Sequence, residues 1–148
     1  MREDEIQVFV EGVTNFYNVI GFSKAQVRAP YLIENVKDSL VEYNGLIPIS
    51  GRNTGSIIFS APKSMLMQLL GRYGGNTNKA ELLLDLVGEI ANTVSGNARE
   101  TLGADFNLAA PIVSRGHLID FDAPAGLQTY CIPIFWERRQ ANLIVALK

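Results

Sequence analysis

The apolar residues Ile6, Phe9, Val10, Val13, Phe16, Tyr17 and Ile20 recur at the i, i+3, i+4, i+7 spacing of one helical stripe, so the chain opens with an amphipathic helix. Gly21 is placed to end it. The period then changes: between 25 and 34, Val27, Tyr31 and Ile33 alternate around Pro30, which predicts an extended segment. Two short apolar runs, 45–50 and 56–60, are joined by Gly51-Arg52-Asn53-Thr54-Gly55, a linker that favours reversal, and predict a hairpin. Ser60 is positioned to cap a helix striped by Met65, Leu66, Leu69 and Leu70 and broken by Gly71, Gly74 and Gly75. Asn78 and Glu81 have capping-box spacing at the head of the longest helical pattern, 79–102. Beyond Gly103 come an extended run at 106–114, a turn-rich stretch at 120–126 and a second hairpin, 129–135 with 142–147.

The two halves rhyme. Each reads helix, extended segment with a proline (Pro30, Pro111), then a hairpin whose first strand carries Ile47-Pro48-Ile49 or Ile132-Pro133-Ile134. Proline cannot donate to a central ladder, so both strands should meet an edge or a bulge at the same place. The expected fold is α+β: two degenerate helix-strand-hairpin repeats forming a largely antiparallel sheet, with the long helices packed on one face. At 148 residues the chain suits one domain spanning 1–148, large enough to hold a core without disulfide or metal. Its single cysteine, Cys131, excludes an internal disulfide framework and fits a reducing compartment. A net charge of −2 spread without blocks gives no footprint for nucleic acid or a membrane surface. Apolar runs such as 132–136 fall far short of the roughly 20 residues of a bilayer span. A cytoplasmic protein with no nucleic-acid partner and no membrane span is therefore expected.

At about 100° per residue, Leu83, Val87, Ile90, Val94 and Thr101 share one narrow sector of the long helix, the side expected to face the core. Opposite them stand Asp85, Glu89, Asn92, Gly96, Arg99 and Gly103. A solvated face would account for an acid and an amide alone, but two features argue for more. Asparagine is a mediocre helix former and glycine costs about 1 kcal/mol against alanine, yet this face or its flank carries Asn92, Asn97, Gly88 and Gly96. Such a low, uncluttered surface lets another macromolecule or a recessed reaction centre come close. A carboxamide one turn from a carboxylate can also hold a water by accepting and donating hydrogen bonds, while the carboxylate pairs with a partner's cation. Neither group is a strong nucleophile or a metal site. The chemistry that suits them is positioning: phosphoryl transfer needs an in-line water more than covalent help, and a glutamine plays that part in GTPases.

The stretch Glu89-Ile90-Ala91-Asn92-Thr93-Val94-Ser95-Gly96-Asn97-Ala98 resembles the E-x-x-N helix of the CheX/CheC chemotaxis phosphatases, which dephosphorylate the response regulator CheY. The order of other segments extends the resemblance over nearly the whole chain: Ala29-Pro30-Tyr31-Leu32-Ile33-Glu34 after the first helix, the hairpin at 45–60 with Gly55-Ser56 entering its second strand, and Leu108-Ala109-Ala110-Pro111-Ile112-Val113 beyond the long helix. Together these resemble the CheX branch. The resemblance implies that Glu89 engages the regulator's lysine and that Asn92 orients the hydrolytic water on the aspartyl phosphate. Asp85 takes the weaker acidic position, and Asp85, Glu89 and Gly96 form the partner-binding set. It further implies no cofactor of the chain's own, the Mg2+ being supplied by the receiver domain, and a homodimer formed by joining sheets. Pro111 matches the motif's distal proline, at the shorter interval of CheX-like members, with a structural role. On the first helix Glu11, Thr14 and Asn15 set acid and amide at i, i+4, so the second motif of CheC-type members is broken and one site per chain is expected. The alternative is a non-enzymatic module that binds a receiver or a flagellar switch, since related folds serve as middle domains of switch proteins.

Other residues carry less. His117 has no acid or nucleophile at a meaningful spacing and reads as a loop residue. Cys131 reads as a buried small hydrophobe, and Trp136 with Arg138 and Arg139 as a hairpin turn with a flanking aromatic. Ser95 and Ser114 lack a base, and Gly71-Arg72-Tyr73-Gly74-Gly75 lacks the lysine and hydroxyl of a phosphate loop.

Overall fold

A computed structural model describes residues 1–20, 23–72, 79–117 and 127–148. Helix α1 (Glu3–Ile20) buries Ile6, Phe9, Val13, Phe16 and Tyr17, the stripe its spacing predicts, and sets Glu3, Asp4 and Glu5 at its positive end. Eight strands follow the two extended segments and the two hairpins: β1 (Gln26–Val27), β2 (Tyr31–Ile33), β3 (Tyr43–Gly51), β4 (Gly55–Ala61), β5 (Phe106–Leu108), β6 (Ile112–Arg115), β7 (Thr129–Trp136) and β8 (Arg139–Leu147). They form one sheet in the order β1-β7-β8-β4-β3-β5, with β2 also on β7 and β6 also on β3, and the pairing is antiparallel throughout.

The repeats exchange strands. The proline-bearing segment of the first half, β1–β2, lies on β7 of the second, while β5–β6 of the second half lies on β3 of the first. Each junction holds the same bulge. Val27 faces Ile134 and Tyr31 faces Cys131, so residues 28–30 oppose 132–133. Likewise Leu108 faces Ile49 and Ile112 faces Leu46, so 109–111 oppose 47–48. Arg28 N–H donates to Pro133 O at 2.9 Å and Ala109 N–H to Pro48 O at 3.0 Å. Because a strand residue directs its N–H and C=O to the same neighbour, the donor each proline lacks falls where the bulge already interrupts the ladder. That is why a central strand tolerates proline in both repeats.

The helices pack on one face of the sheet. Their core unites the α1 stripe with Ile47, Ile57, Phe59, Phe106, Ile132, Leu143 and Val145, and a smaller cluster of Val36, Leu40, Leu46, Ile58 and Ile144 is buried separately. Cys131 is buried, as is Trp136, which precedes a turn with positive φ at Glu137 and Arg138. No helix among the described residues is long and apolar enough to cross a membrane.

Three local expectations fail. Ser60 caps nothing: it is buried in β4, where its hydroxyl donates to Asn44 Oδ1 at 2.6 Å and accepts the Val41 N–H at 2.7 Å. Strand pairing continues through Ala61, so helix α2 (Lys63–Arg72) starts later, and its first N–H, from Lys63, goes to Glu42 Oε1 at 2.7 Å. Gly71 lies within α2 rather than ending it. Thr101, placed on the core side of helix α3 (Ala80–Leu102), is exposed, and the buried line instead runs through Ala91, Ser95 and Ala98. The cause is a second neighbour. A Cβ on Gly12 of α1 would stand 3.2 Å from Val94 O and 3.6 Å from Ala98 N, so α1 lies against this flank of α3. Gly21, Gly74, Gly75, Asn78 and the stretch 120–126 fall outside the described residues, and Lys79 occupies the N-cap position of α3.

Candidate functional site

Helix α3 buries Leu83, Val87, Ile90 and Val94 against the sheet, which turns Asp85, Glu89 and Asn92 outward. All three are exposed, on successive turns of one face, and Gly96 continues the line half-buried. Among the described residues nothing hydrogen-bonds or ion-pairs with these three side chains. The backbone beneath is secured, with Thr93 Oγ1 donating to Glu89 O at 2.9 Å. The polar heads are thus free to meet a partner, on a helix whose other side is fixed.

Asp85, Glu89 and Asn92 border an open depression of about 370 Å³, closed on its far side by Pro111 and Val113. Gly88 makes this wall: a Cβ there would come 2.8 Å from Val113 Cγ1 and 3.3 Å from Pro111 Cβ. The bulge between β5 and β6 therefore rests directly on the helix beside the acid and the amide. The small residues read from the sequence as one uncluttered surface do three different things. Gly88 is buried and admits the bulge, whereas a Cβ on Gly96 would meet nothing within 4 Å. Asn97 belongs to the helix contact instead, its Nδ2 donating to Gly12 O at 3.2 Å.

On the opposite flank of α3 lies a second hollow of about 540 Å³, lined by the last turns of α1, by Leu70 of α2 and by α3 from Leu86 to Asn97, with Glu89 among its lining residues too. No sequence reading anticipated it, because it depends on how two distant helices splay. On α1, Glu11 and Asn15 are exposed, and the Thr14 hydroxyl donates back to Val10 O at 2.7 Å. Asn15 opens into the second hollow.

Among the described residues the remaining polar groups do not assemble a reactive centre. His117 is exposed with Nδ1 3.1 Å from Lys37 O, and the Ser114 hydroxyl lies 3.3 Å from the Asn44 amide. Ser95 is buried, its hydroxyl without a partner among the described residues. Burial raises the Cys131 thiol above its ordinary value and keeps it protonated at neutral pH. No group of three or more His, Cys, Asp or Glu among the described residues is arranged to hold a metal ion. What the depression beside Asn92 offers, among the described residues, is hydrogen bonding and negative charge.

Known proteins resemble the chain over its whole length. A CheC-like superfamily protein from Shewanella sp. PV-4 superimposes with a TM-score of 0.84 at 24% identity, over 100% of this chain and 99% of that one. CheX from Vibrio vulnificus gives 0.82 at 22%, over 98% and 99%. The CheX–CheY–BeF3–Mg2+ complex from Borrelia burgdorferi gives 0.77 at 16%, over 99% of each chain. These likenesses establish the fold. A search of curated proteins gave no match. The family described as chemotaxis phosphatase CheX matches residues 43–135, which include both hairpin strands β3 and β4, all of α3 and the wall of the depression. That match spans more than half of the chain, which therefore belongs to the CheX family of chemotaxis phosphatases.

Proposed function

We propose that this chain dephosphorylates the aspartyl phosphate of a CheY-type receiver domain, with Glu89 and Asn92 as its working pair. The observation that carries the reading is the placement of these two side chains, exposed and untied among the described residues, on one ridge of a helix whose other face is anchored in the core. Family membership and the Borrelia relative, solved with CheY, BeF3 and Mg2+, support both the partner and the reaction.

Glu89 pairs with a cation of the receiver and fixes the register of docking. One turn on, the Asn92 carbonyl accepts a hydrogen bond from water and its NH2 group donates to a phosphoryl oxygen, which puts the water in line with the bond from phosphorus to the aspartyl oxygen. Attack forms the new P–O bond, the aspartyl oxygen leaves with the electron pair, and carboxylate and inorganic phosphate result. Asp85 adds negative charge on the docking side, and Gly96 leaves the surface low where the receiver's backbone approaches. In this reading the magnesium ion would come with the receiver, as in the Borrelia complex solved with CheY, BeF3 and Mg2+, and would supply neutralisation of the phosphoryl charge.

The test is the decay of a Mg2+-loaded, phosphorylated CheY-type receiver with the wild-type chain, with Asn92→Ala, and alone. Acceleration should fall by about 100-fold or more in Asn92→Ala, the scale on which loss of a positioning group costs catalysis, while the variant still folds and binds. Full activity in that variant would end this mechanism. Coincident decays with retained binding would make the chain a binding module.

The same reading includes a homodimer joined through sheet edges. Strand β2 exposes Tyr31 and Leu32, at the far end of the sheet from β6, which borders the Asn92 depression. A second copy on β2 would leave the depression open. Sedimentation of Leu32→Lys should show a weakened dimer, and a wild-type chain that stays monomeric at all concentrations would remove this part.

A further inference from the structure

Glu89 stands on a ridge between two hollows, the depression that holds Asn92 and the larger groove toward α1. Helices α1 and α3 run antiparallel, touching closely where Gly12 meets Val94, and the groove lies between the end of α1 and the Leu86–Asn97 stretch of α3, with Leu70 of α2 beside it. Its floor is apolar, with Phe16, Leu86 and Ile90, and Val19 on its lip is 77% exposed, the most exposed large hydrophobic residue described. Its polar members are Asn15, Glu89, Thr93 and Asn97, and among the described residues no basic side chain lines it.

We propose that this groove is a second docking site for the same receiver domain, which seats an apolar side chain there while its phosphoryl group lies at Asn92. The proposal rests on the function given above and adds to it a separation of affinity from chemistry. Two observations select the receiver as occupant. Continuity is the first: a partner that meets both Glu89 and Asn92 straddles α3, and the groove begins at the same Glu89 side chain. The second is charge. A lining with one carboxylate, Glu89, among neutral polar groups, and no cation among the described residues, suits an apolar side chain next to a cation, the neighbourhood that a partner pairing with Glu89 brings. About 540 Å³ lies within the range of hollows that bury apolar groups. Such contacts set how long a complex lasts more than how it reacts.

Val19→Glu is the discriminating variant. The site is exposed on the last turn of α1, so folding should be unaffected. Electrostatics alone would make a further carboxylate near Glu89 strengthen attraction to a cationic patch, whereas loss of an apolar seat weakens binding. The two effects have opposite signs. The probe is a CheY-type receiver phosphorylated by acetyl phosphate in Mg2+, and both binding and decay are read. We expect the dissociation constant and KM to rise at least tenfold with kcat within twofold of wild type, and Leu86→Glu to behave alike. Asn92→Ala, run beside them, should lose kcat and keep affinity.

Unchanged or tighter binding by Val19→Glu overturns the groove whatever Asn92→Ala does. An active Asn92→Ala overturns the catalytic reading and leaves the groove to be judged on affinity. A lowered melting temperature with unchanged KM would mean that another part of this chain fills the groove. A change in sedimentation alone would mean that a second copy does, and either result rejects the receiver as occupant. A receiver that the wild type does not bind at all rejects both readings for that class of partner.

Discussion

Gly88 and Gly96 lie on the same helix and cost it the same local propensity, yet only one of them is required by packing. A methyl group at 88 would press on Val113 and Pro111, so Gly88→Ala should destabilise by about 1–3 kcal/mol and displace the wall beside Asn92. Gly96 has open space around it, and Gly96→Ala should stabilise by up to about 1 kcal/mol. Urea unfolding of the two variants checks both signs. The sequence placed both glycines and Asn97 in one class because helical spacing reports direction around an axis and not what stands in that direction. Pro111 and Gly12, the residues that divide them, are far away in the chain. The outward direction of Asp85, Glu89 and Asn92 was legible for the same reason: periodicity settles which side is opposite the core.

At the scale of elements, local chemistry was readable and long-range chemistry was not. The helices and hairpins lie close to where spacing and turn residues put them, because each rule involves residues a few positions apart. The start of α2 was misread. Capping rules look at the residue just before a helix, whereas the group that accepts the Lys63 N–H is the carboxylate of Glu42, across the β3–β4 hairpin. Glu42→Ala should cost about 0.5–2 kcal/mol, as loss of a cap does, and the loss should appear first as faster amide exchange in α2. The recurring prolines were a better clue, since a missing donor constrains the neighbouring strand as well as its own and so pointed to a bulge that the structure contains twice.

For the molecule as a whole, burial of ionisable groups sets its tolerance of alkali. Burial raises Tyr17 strongly and Cys131 as well, so the folded state favours both neutral forms and the unfolded chain releases their protons first. Their contribution is complete below the ordinary thiol and phenol values of 9.0 and 10.0, declines as pH climbs past them, and is gone above the raised values. Denaturation midpoints should therefore be steady toward pH 9 and fall beyond it, and a rise above pH 10 would contradict this. The strand exchange between repeats was not legible from the chain, because nothing local tells β5–β6 to leave its own hairpin for β3. It also has a consequence for synthesis. As the chain leaves the ribosome, β3 has no outer neighbour until β5 and β6 emerge, and β1 and β2 wait for β7, about a hundred residues later. The nascent first half therefore passes through the tunnel exit with open strand edges, and a message broken before β7 yields a product whose unpaired edges invite aggregation and chaperone capture.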